Sequence, residues 1–305
     1  MNELLLPRVL VVGPGGIKGF KILGFLTALE DKRILDHVDT FCGVSVGAII
    51  CLLIVAGYTT RDILTEAIDL DIFKDVHLFD FSTMVSNKGL MSNESIRSRL
   101  IQLLTNKFGN VPSLYGLYMR TGRSLALVTL NTTDHKSVVM TPFNNPDISC
   151  VDAVMLSINI PFIFYELIYL GKVYVDGALA NPYPVDYFDD NKTRILGIYV
   201  KTLHDNTGNI SDDNILVYCS KIVHSLIEQR RNHIISQASS HCRHVCLLND
   251  PVNIIGYSIT LKDKAQMLVE GFLQGRDYLN QPYLEPVVNR EKYEYPEYYL
   301  SPEIG

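Results

Sequence analysis

The apolar positions of the first sixty residues change period three times. Val9–Val12 is a continuous apolar run closed by Gly13-Pro14-Gly15-Gly16, and a run of that length bounded by turn residues predicts a buried strand. From Gly19 to Glu30 the spacing becomes helical, with Phe20, Leu23, Phe25, Leu26 and Leu29 on one broad face. Val38–Cys42 returns to a strand pattern, passes through Gly43-Val44-Ser45-Val46-Gly47, and leads into Ala48–Ala56, which is apolar all round, as a buried helix is. This βαβα opening predicts an α/β fold with a largely parallel central sheet covered by helices.

Residues 61–121 read as mostly helical, with Ser92 capping a helix through Asn106 and Pro112 in the first turn of another through Met119. Ser124–Leu130 and Ser137–Met140 predict strands joined through Asn131-Thr132-Thr133-Asp134. Cys150–Ser157 predicts a short helix, and Lys172–Val175 a strand ending at Asp176-Gly177. Ile195–Val200 and His244–Leu248 predict buried strands, separated by a long helix over about 214–239 and followed by a last helix over Lys262–Leu279. His204–Asp213, polar around Gly208, is expected to be a loop. Residues 1–280 are expected to form one domain, with 281–305, rich in Tyr, Glu and Pro, as a tail on its surface.

Composition narrows the class. With 305 residues, 47% hydrophobic and 20% charged, the chain is too apolar for disorder and lacks the periodicity of collagen or a coiled coil. A net charge of −6 disfavours a nucleic-acid partner and electrostatic capture by an anionic membrane. Six Cys are too sparse for a disulfide scaffold. The acidic N-terminus with an apolar run stopped by Pro7 is no secretory signal, Asn2 excludes myristoylation, and Ser-Pro-Glu-Ile-Gly is no prenylation box. A cytosolic, thiol-reduced protein is expected. The mean hydropathy of +0.13 is the unusual value. Phe41–Tyr58 carries no charge over 18 residues, near the lower limit for a bilayer span. Gly43, Ser45 and Gly47 interrupt it, so a strand, a tight turn and a buried helix are the expected reading.

Three segments carry candidate chemistry. Gly43-Val44-Ser45-Val46-Gly47, between a strand and an apolar helix, has the sequence context of a nucleophile elbow, in which Ser45 stands clear of the sheet on a turn that glycines allow. Gly13-Pro14-Gly15-Gly16-Ile17-Lys18-Gly19, also between strand and helix, offers backbone N–H groups at a helix N-terminus, suited to a phosphate or an oxyanion. It fails the P-loop pattern, because no Ser or Thr follows Lys18, and it fits the dinucleotide fingerprint only loosely. Asp176-Gly177-Ala178 places a carboxylate at the end of a strand, where parallel sheets gather reactive groups, although a turn Asp is the commoner meaning of such a tripeptide.

Together and in this order the segments resemble the patatin-like phospholipases. Pro14-Gly15-Gly16-Ile17-Lys18-Gly19 is similar to that family's glycine-rich oxyanion motif, Gly43–Gly47 to its Gly-x-Ser-x-Gly elbow, and Asp176-Gly177-Ala178 to its Asp-Gly-Gly/Ala motif. Ser157-Ile158-Asn159-Ile160-Pro161-Phe162 and Asn181-Pro182-Tyr183-Pro184 match two flanking signatures. The resemblance covers about residues 8–200, and its Ile-, Asn- and Tyr-rich single-domain chain is similar to members from large DNA viruses or bacteria. It implies a three-layer α/β/α patatin-like fold and a Ser45–Asp176 dyad without metal or cofactor. It further implies an oxyanion hole from the Gly15 and Gly16 N–H groups, and a membrane phospholipid or lysophospholipid substrate met by peripheral contact. A protein activator is compatible with it. Lys18 would add positive potential or pair with a lipid phosphate. Pro14 departs from the motif and removes one N–H.

Rival readings make their own expectations. A Ser-His-Asp hydrolase would use His204, His241 or His244, but too few strands precede the elbow. A nucleotide-binding module would use Asp39 for a ribose contact. A catalytically dead lipid-binding or effector protein would keep the motifs without turnover. His241-Cys242-Arg243-His244-Val245-Cys246 has no common zinc spacing and reads as core thiols with a surface His. Arg230-Arg231, Arg97 and Arg99 are expected on solvated helix faces. Phe79-Asp80-Phe81 with Met84, and Pro161–Tyr165, are candidates for an apolar rim.

Overall fold

The computed structural model describes residues 6–69, 81–202, 215–249 and 259–280. The expected loop His204–Asp213, the tail 281–305, and Phe79 and Asp80 of the candidate rim lie outside them. In chain order the elements are β1 (Val9–Val12), α1 (Gly19–Asp31), β2 (Thr40–Gly43), α2 (Val46–Val55), α3 (Thr60–Asp69), α4 (Phe81–Asn87), β3 (Gly89–Met91), α5 (Glu94–Phe108), α6 (Leu114–Thr121), β4 (Ser124–Asn131), β5 (Lys136–Met140), α7 (Cys150–Ser157), β6 (Phe162–Phe164), β7 (Leu167–Tyr169), β8 (Lys172–Asp176), β9 (Ile195–Thr202), α8 (Ile215–Gln237), β10 (Cys242–Asn249) and α9 (Leu261–Asn280). The helix starts differ by a residue or two from the sequence reading. Ser113 caps α6 by accepting the Gly116 N–H at 3.1 Å, so Pro112 precedes the helix instead of lying in its first turn, and Ser92 accepts from Glu94 N just outside α5.

The main sheet has the order β10-β9-β1-β2-β4-β8-β7, with β5 also paired to β4. The run β10-β9-β1-β2-β4 is parallel; β5, β7 and β8 add antiparallel pairs, and β3 and β6 form a separate parallel pair. Side-chain alternation splits the core between the two faces. Leu10, Val12, Phe41, Leu125 and Leu127 face a large cluster with α1, α2, α5 and α7, while Val9, Val11, Cys42, Ala126 and Val128 face a smaller one with Tyr183, Val185 and Ile234 of α8. These are the three expected layers, unequal in size. α9 lies against α1 at backbone contact: a Cβ on Gly24 would stand 2.0 Å from Leu268 O, and one on Gly271 2.0 Å from Lys21 O. The uncharged run Phe41–Tyr58 divides into β2, the elbow and α2. No helix among the described residues is long and apolar enough to cross a membrane.

Register brings Asp176 to Ser45. Val12 pairs with Gly43, and Gly43 with Leu127, so β1 and β2 end together while β4 continues to Asn131. The sequence reading takes Asp176 to end a parallel strand; β8 instead pairs antiparallel with the β4 extension, Asn131 opposite Tyr174 and Thr129 opposite Asp176. It therefore runs back toward the end of β2 and stops two residues beyond Gly43, level with Ser45.

Candidate active site

Ser45 occupies a left-handed backbone conformation, φ 57° and ψ −128°, between β2 and α2. A non-glycine residue is strained there, by about 1–3 kcal/mol, and is held only when its surroundings overdetermine it. The surroundings do so. Val44 N donates to Val12 O (3.0 Å), Gly47 N to Val44 O (3.0 Å) and Ala48 N to Ser45 O (2.8 Å). A Cβ on Gly43 would lie 2.3 Å from Gly47 O and one on Gly47 2.3 Å from Val12 O, so only glycine lets α2 start this close to β1.

The end of α7 and the residues just after it hold both candidate groups. Ser157, fully buried, accepts the Ser45 N–H at 3.3 Å. Two residues on, Asn159 O accepts the Asp176 N–H at 2.8 Å, and Asn159 Nδ2 donates to Tyr174 O at 3.1 Å. Thr129 ties the end of α7 to β8, its single hydroxyl proton shared between Leu156 O (2.8 Å) and Val175 O (3.0 Å). The sequence reading has Ser157–Phe162 only as a family signature; here it is the strut between elbow and carboxylate. Ser157→Ala leaves a buried N–H without an acceptor, which typically costs about 1–3 kcal/mol. Steady-state assays on a soluble ester should show kcat down about tenfold with KM little changed, because position is disturbed and not binding. Ser157→Thr should recover part of the loss.

Ser45 is 5% exposed and Asp176 3%. Asp176 Oδ1 accepts from Ala178 N at 2.8 Å, whereas Oδ2 is buried without a hydrogen bond of good geometry among the described residues. Burial pushes the carboxyl up to about 6, against the opposing pull of the Ser45 hydroxyl and the Ala178 N–H. The Ser45 hydroxyl therefore stands beside the carboxyl. The loop Gly13–Gly19 lies alongside: a Cβ on Gly15 would contact Val46 Cγ1 at 3.5 Å and one on Gly19 Val46 Cγ2 at 2.9 Å. No backbone hydrogen bond among the described residues uses the N–H of Gly15 or Gly16. Two helix N-terminal ends, the turn Gly16–Lys18 leading into α1 and that of α2, therefore meet beside Ser45, where they favour negative charge.

A cavity of about 150 Å³ opens at Ser45 and Gly16 and is walled by apolar side chains including Ile49, Leu53, Leu100, Ile160 and Phe164. Three charged residues share its wall: Glu66, Arg99 and Lys264. Of the candidate rim Pro161–Tyr165, Phe164 lines the cavity and Phe162 is half exposed at 50%. Lys18, which the resemblance assigns to the site, is half buried and is not among the lining residues. Burial lowers its pKa, Glu228 opposes this and Lys21 adds to it.

Arg231 does not lie on a solvated helix face. Arg231 is 3% exposed, because its guanidinium stacks 4.4 Å from the Tyr199 ring centroid and pairs with Glu228. Arg97 and Arg99 are engaged by Asp152 and Glu66. His241 is exposed, but His244 Nδ1 lies 3.0 Å from the fully buried Tyr183 hydroxyl, and burial brings its pKa down to about 4. β10 stands three strands from β2, about 14 Å at normal strand spacing, so neither His241 nor His244 reaches Ser45. His204 lies outside the described residues. Asp39 pairs with Arg8 at the amino end of β1 and β2, the edge opposite the Gly13–Gly19 loop, and cannot serve a ligand bound there.

A strained serine between a parallel strand and a buried helix, beside a buried carboxylate and the N–H groups of Gly15 and Gly16, is the arrangement of parts that a serine hydrolase requires. The profile of the patatin-like phospholipases matches residues 10–189, and the chain belongs to that family, a family of lipid hydrolases. It is 24% identical over 263 residues to uncharacterized protein R571 of Acanthamoeba polyphaga mimivirus, covering 84% of this chain and 88% of that one. It is 30% identical over 182 residues to the probable lipid hydrolase 463L of Invertebrate iridescent virus 6, covering 59% and 62%. Among solved structures, VipD from Legionella pneumophila has a similar fold, with TM-score 0.56 at 16% identity over 90% of this chain and 67% of that one.

Proposed function

We propose that the chain hydrolyses carboxylic esters of membrane glycerolipids, as a phospholipase A or lysophospholipase, through Ser45 and Asp176. The observation that carries this is the buried Asp176 carboxyl, with Oδ2 uncommitted, level with the strained Ser45. As Ser45 Oγ attacks the ester carbonyl carbon, its proton passes to Asp176 and the carbonyl electron pair moves to oxygen. Gly15 and Gly16 N–H groups receive that oxyanion. When the carbonyl reforms, the alcohol oxygen leaves with the proton from Asp176, and the acyl group stays on Ser45. A water then gives its proton to Asp176 and attacks; collapse releases the fatty acid and returns the proton to Ser45. Each oxyanion donor of this kind is typically worth about 3–4 kcal/mol. The apolar cavity beside Ser45 is suited to the acyl chain, and a net charge of −6 favours bilayer contact by apolar insertion.

The test is mass spectrometry of liposomes containing phosphatidylcholine, lysophosphatidylcholine and diacylglycerol after incubation with the protein. Free fatty acid should accumulate from at least one of them, and a fluorophosphonate probe should label the peptide bearing Ser45. Lipid turnover no higher than in Asp176→Asn would sink the reading.

A further inference from the structure

Two lysines are buried along α1 and α9, and their surroundings differ. Lys21 is neutralised: its Nζ lies 2.6 Å from Glu270 Oε2 and donates to Leu248 O. Lys264, in the first turn of α9, is 7% exposed. Among the described residues its Nζ has one hydrogen bond, to Ile68 O at 3.5 Å, the outer limit of such a contact, and stands 5.5 Å from the Phe20 ring centroid. An ammonium carries three donors, and burying a charge without partners is costly.

The nearby carboxylates on the described side chains are committed elsewhere. Glu66 accepts from Arg99 Nε at 2.6 Å, Asp263 caps α9 through Thr260, and Glu270 holds Lys21. Among the described residues, Arg99, the other cation in the cavity wall, is therefore matched in charge, while Lys264 is not. Lys264 lines the cavity that contains Ser45 and Gly16, and Lys18, the cation that the sequence points to, does not.

We propose that Lys264 is a specificity residue that receives the phosphate of a glycerophospholipid whose ester sits at Ser45. It makes the cavity select phosphate-bearing lipids over neutral acyl esters. In such a lipid the phosphodiester is the fixed anion nearest the ester, a few bonds from the acyl oxygen, and Ser45 and Lys264 line the same cavity. This rests on the lipid-hydrolase reading above. A free fatty acid carboxylate or free inorganic phosphate offers related chemistry, and the test separates them.

Binding is measured first, on the wild-type chain, by calorimetry with short-chain diether lipids that have no ester to cleave. The diether glycerophosphocholine should bind at least about tenfold more tightly than the diether glycerol of the same chains, a difference a charge-assisted hydrogen bond can supply. Equal affinities overturn the proposal, as does inorganic phosphate or octanoate binding as tightly as the phosphate-bearing diether. Turnover is measured second. In Lys264→Met the ratio of kcat/KM on phosphatidylcholine to that on diacylglycerol should fall at least about tenfold, with Lys264→Arg retaining most of it. A ratio that does not move overturns the assignment. The binding arm needs neither turnover nor a variant. Absence of all lipid hydrolysis would therefore defeat the hydrolase reading while the affinity difference still decides the role of Lys264.

Discussion

Ser45→Ala is expected to lower ester hydrolysis by about four orders of magnitude or more, since loss of a nucleophile removes the covalent route and leaves only binding and oxyanion stabilisation. The comparison with Ser45→Gly makes the result specific to the elbow. At an ordinary position glycine costs about 0.5–1 kcal/mol relative to alanine through the entropy of the unfolded chain. At φ 57° the alanine Cβ keeps the strain that glycine relieves, a strain of about 1–3 kcal/mol. Ser45→Gly should therefore unfold at equal or higher urea concentration than Ser45→Ala, with both inactive on a soluble ester. An Ala variant clearly more stable than the Gly variant would mean that the strained turn is not present in solution. Retained activity in either variant would remove Ser45 from the mechanism.

The strain also explains which parts of the molecule were legible in the chain. The βαβα opening could be read because each piece is local: Val9–Val12 and Val38–Cys42 are strand runs, and the glycines at 43 and 47 announce a turn that no Cβ permits. The order of motifs around Ser45 and Asp176 could be read for the same reason. What could not be read depends on register. β3, β6 and β7 have three residues each, too few for a period to show. That β8 is antiparallel, and so returns Asp176 to Ser45, follows from its pairing with the far half of β4. Burial of charge was equally hidden, since Lys21, Arg231 and Lys264 sit at positions that look like polar helix faces. Tertiary partners decide these cases: a carboxylate for Lys21, an aromatic ring and Glu228 for Arg231, and the cavity at Ser45 for Lys264. Lys18 is the converse, a motif residue whose place in the sequence suggested the site and whose side chain does not line the cavity.

Asp176→Asn should separate activity from stability in opposite directions. Asn keeps the shape of Asp but cannot take the Ser45 proton, so hydrolysis should fall by about 10³–10⁴, the upper range for a general base. Stability should rise. Burial raises the carboxyl from its ordinary 3.8 to about 6, so in the folded chain the proton is retained through a pH window in which the unfolded chain has lost it. Between about pH 4 and 6 the native state therefore binds more protons than the unfolded state, and stability falls as pH rises through that window. Above pH 6 the full cost of the buried charge is present, of order 3 kcal/mol at about 1.4 kcal/mol per pH unit. The Asn variant escapes this cost but buries an amide N–H₂ where Oδ2 had no partner, so a net gain of about 1–2 kcal/mol is expected. Urea melts should show that gain at pH 7.5 and its loss near pH 4. On the wild type, log kcat/KM for a soluble ester should climb with unit slope below pH 6 and level off above it, because the charged carboxylate is the base. A flat profile from pH 5 to 8 would show that Asp176 is not the base, and an Asn variant less stable at pH 7.5 than at pH 4.5 relative to wild type would show that burial does not strain it. Agreement of both midpoints near 6 would tie the cost in stability and the gain in catalysis to one proton on one buried carboxyl.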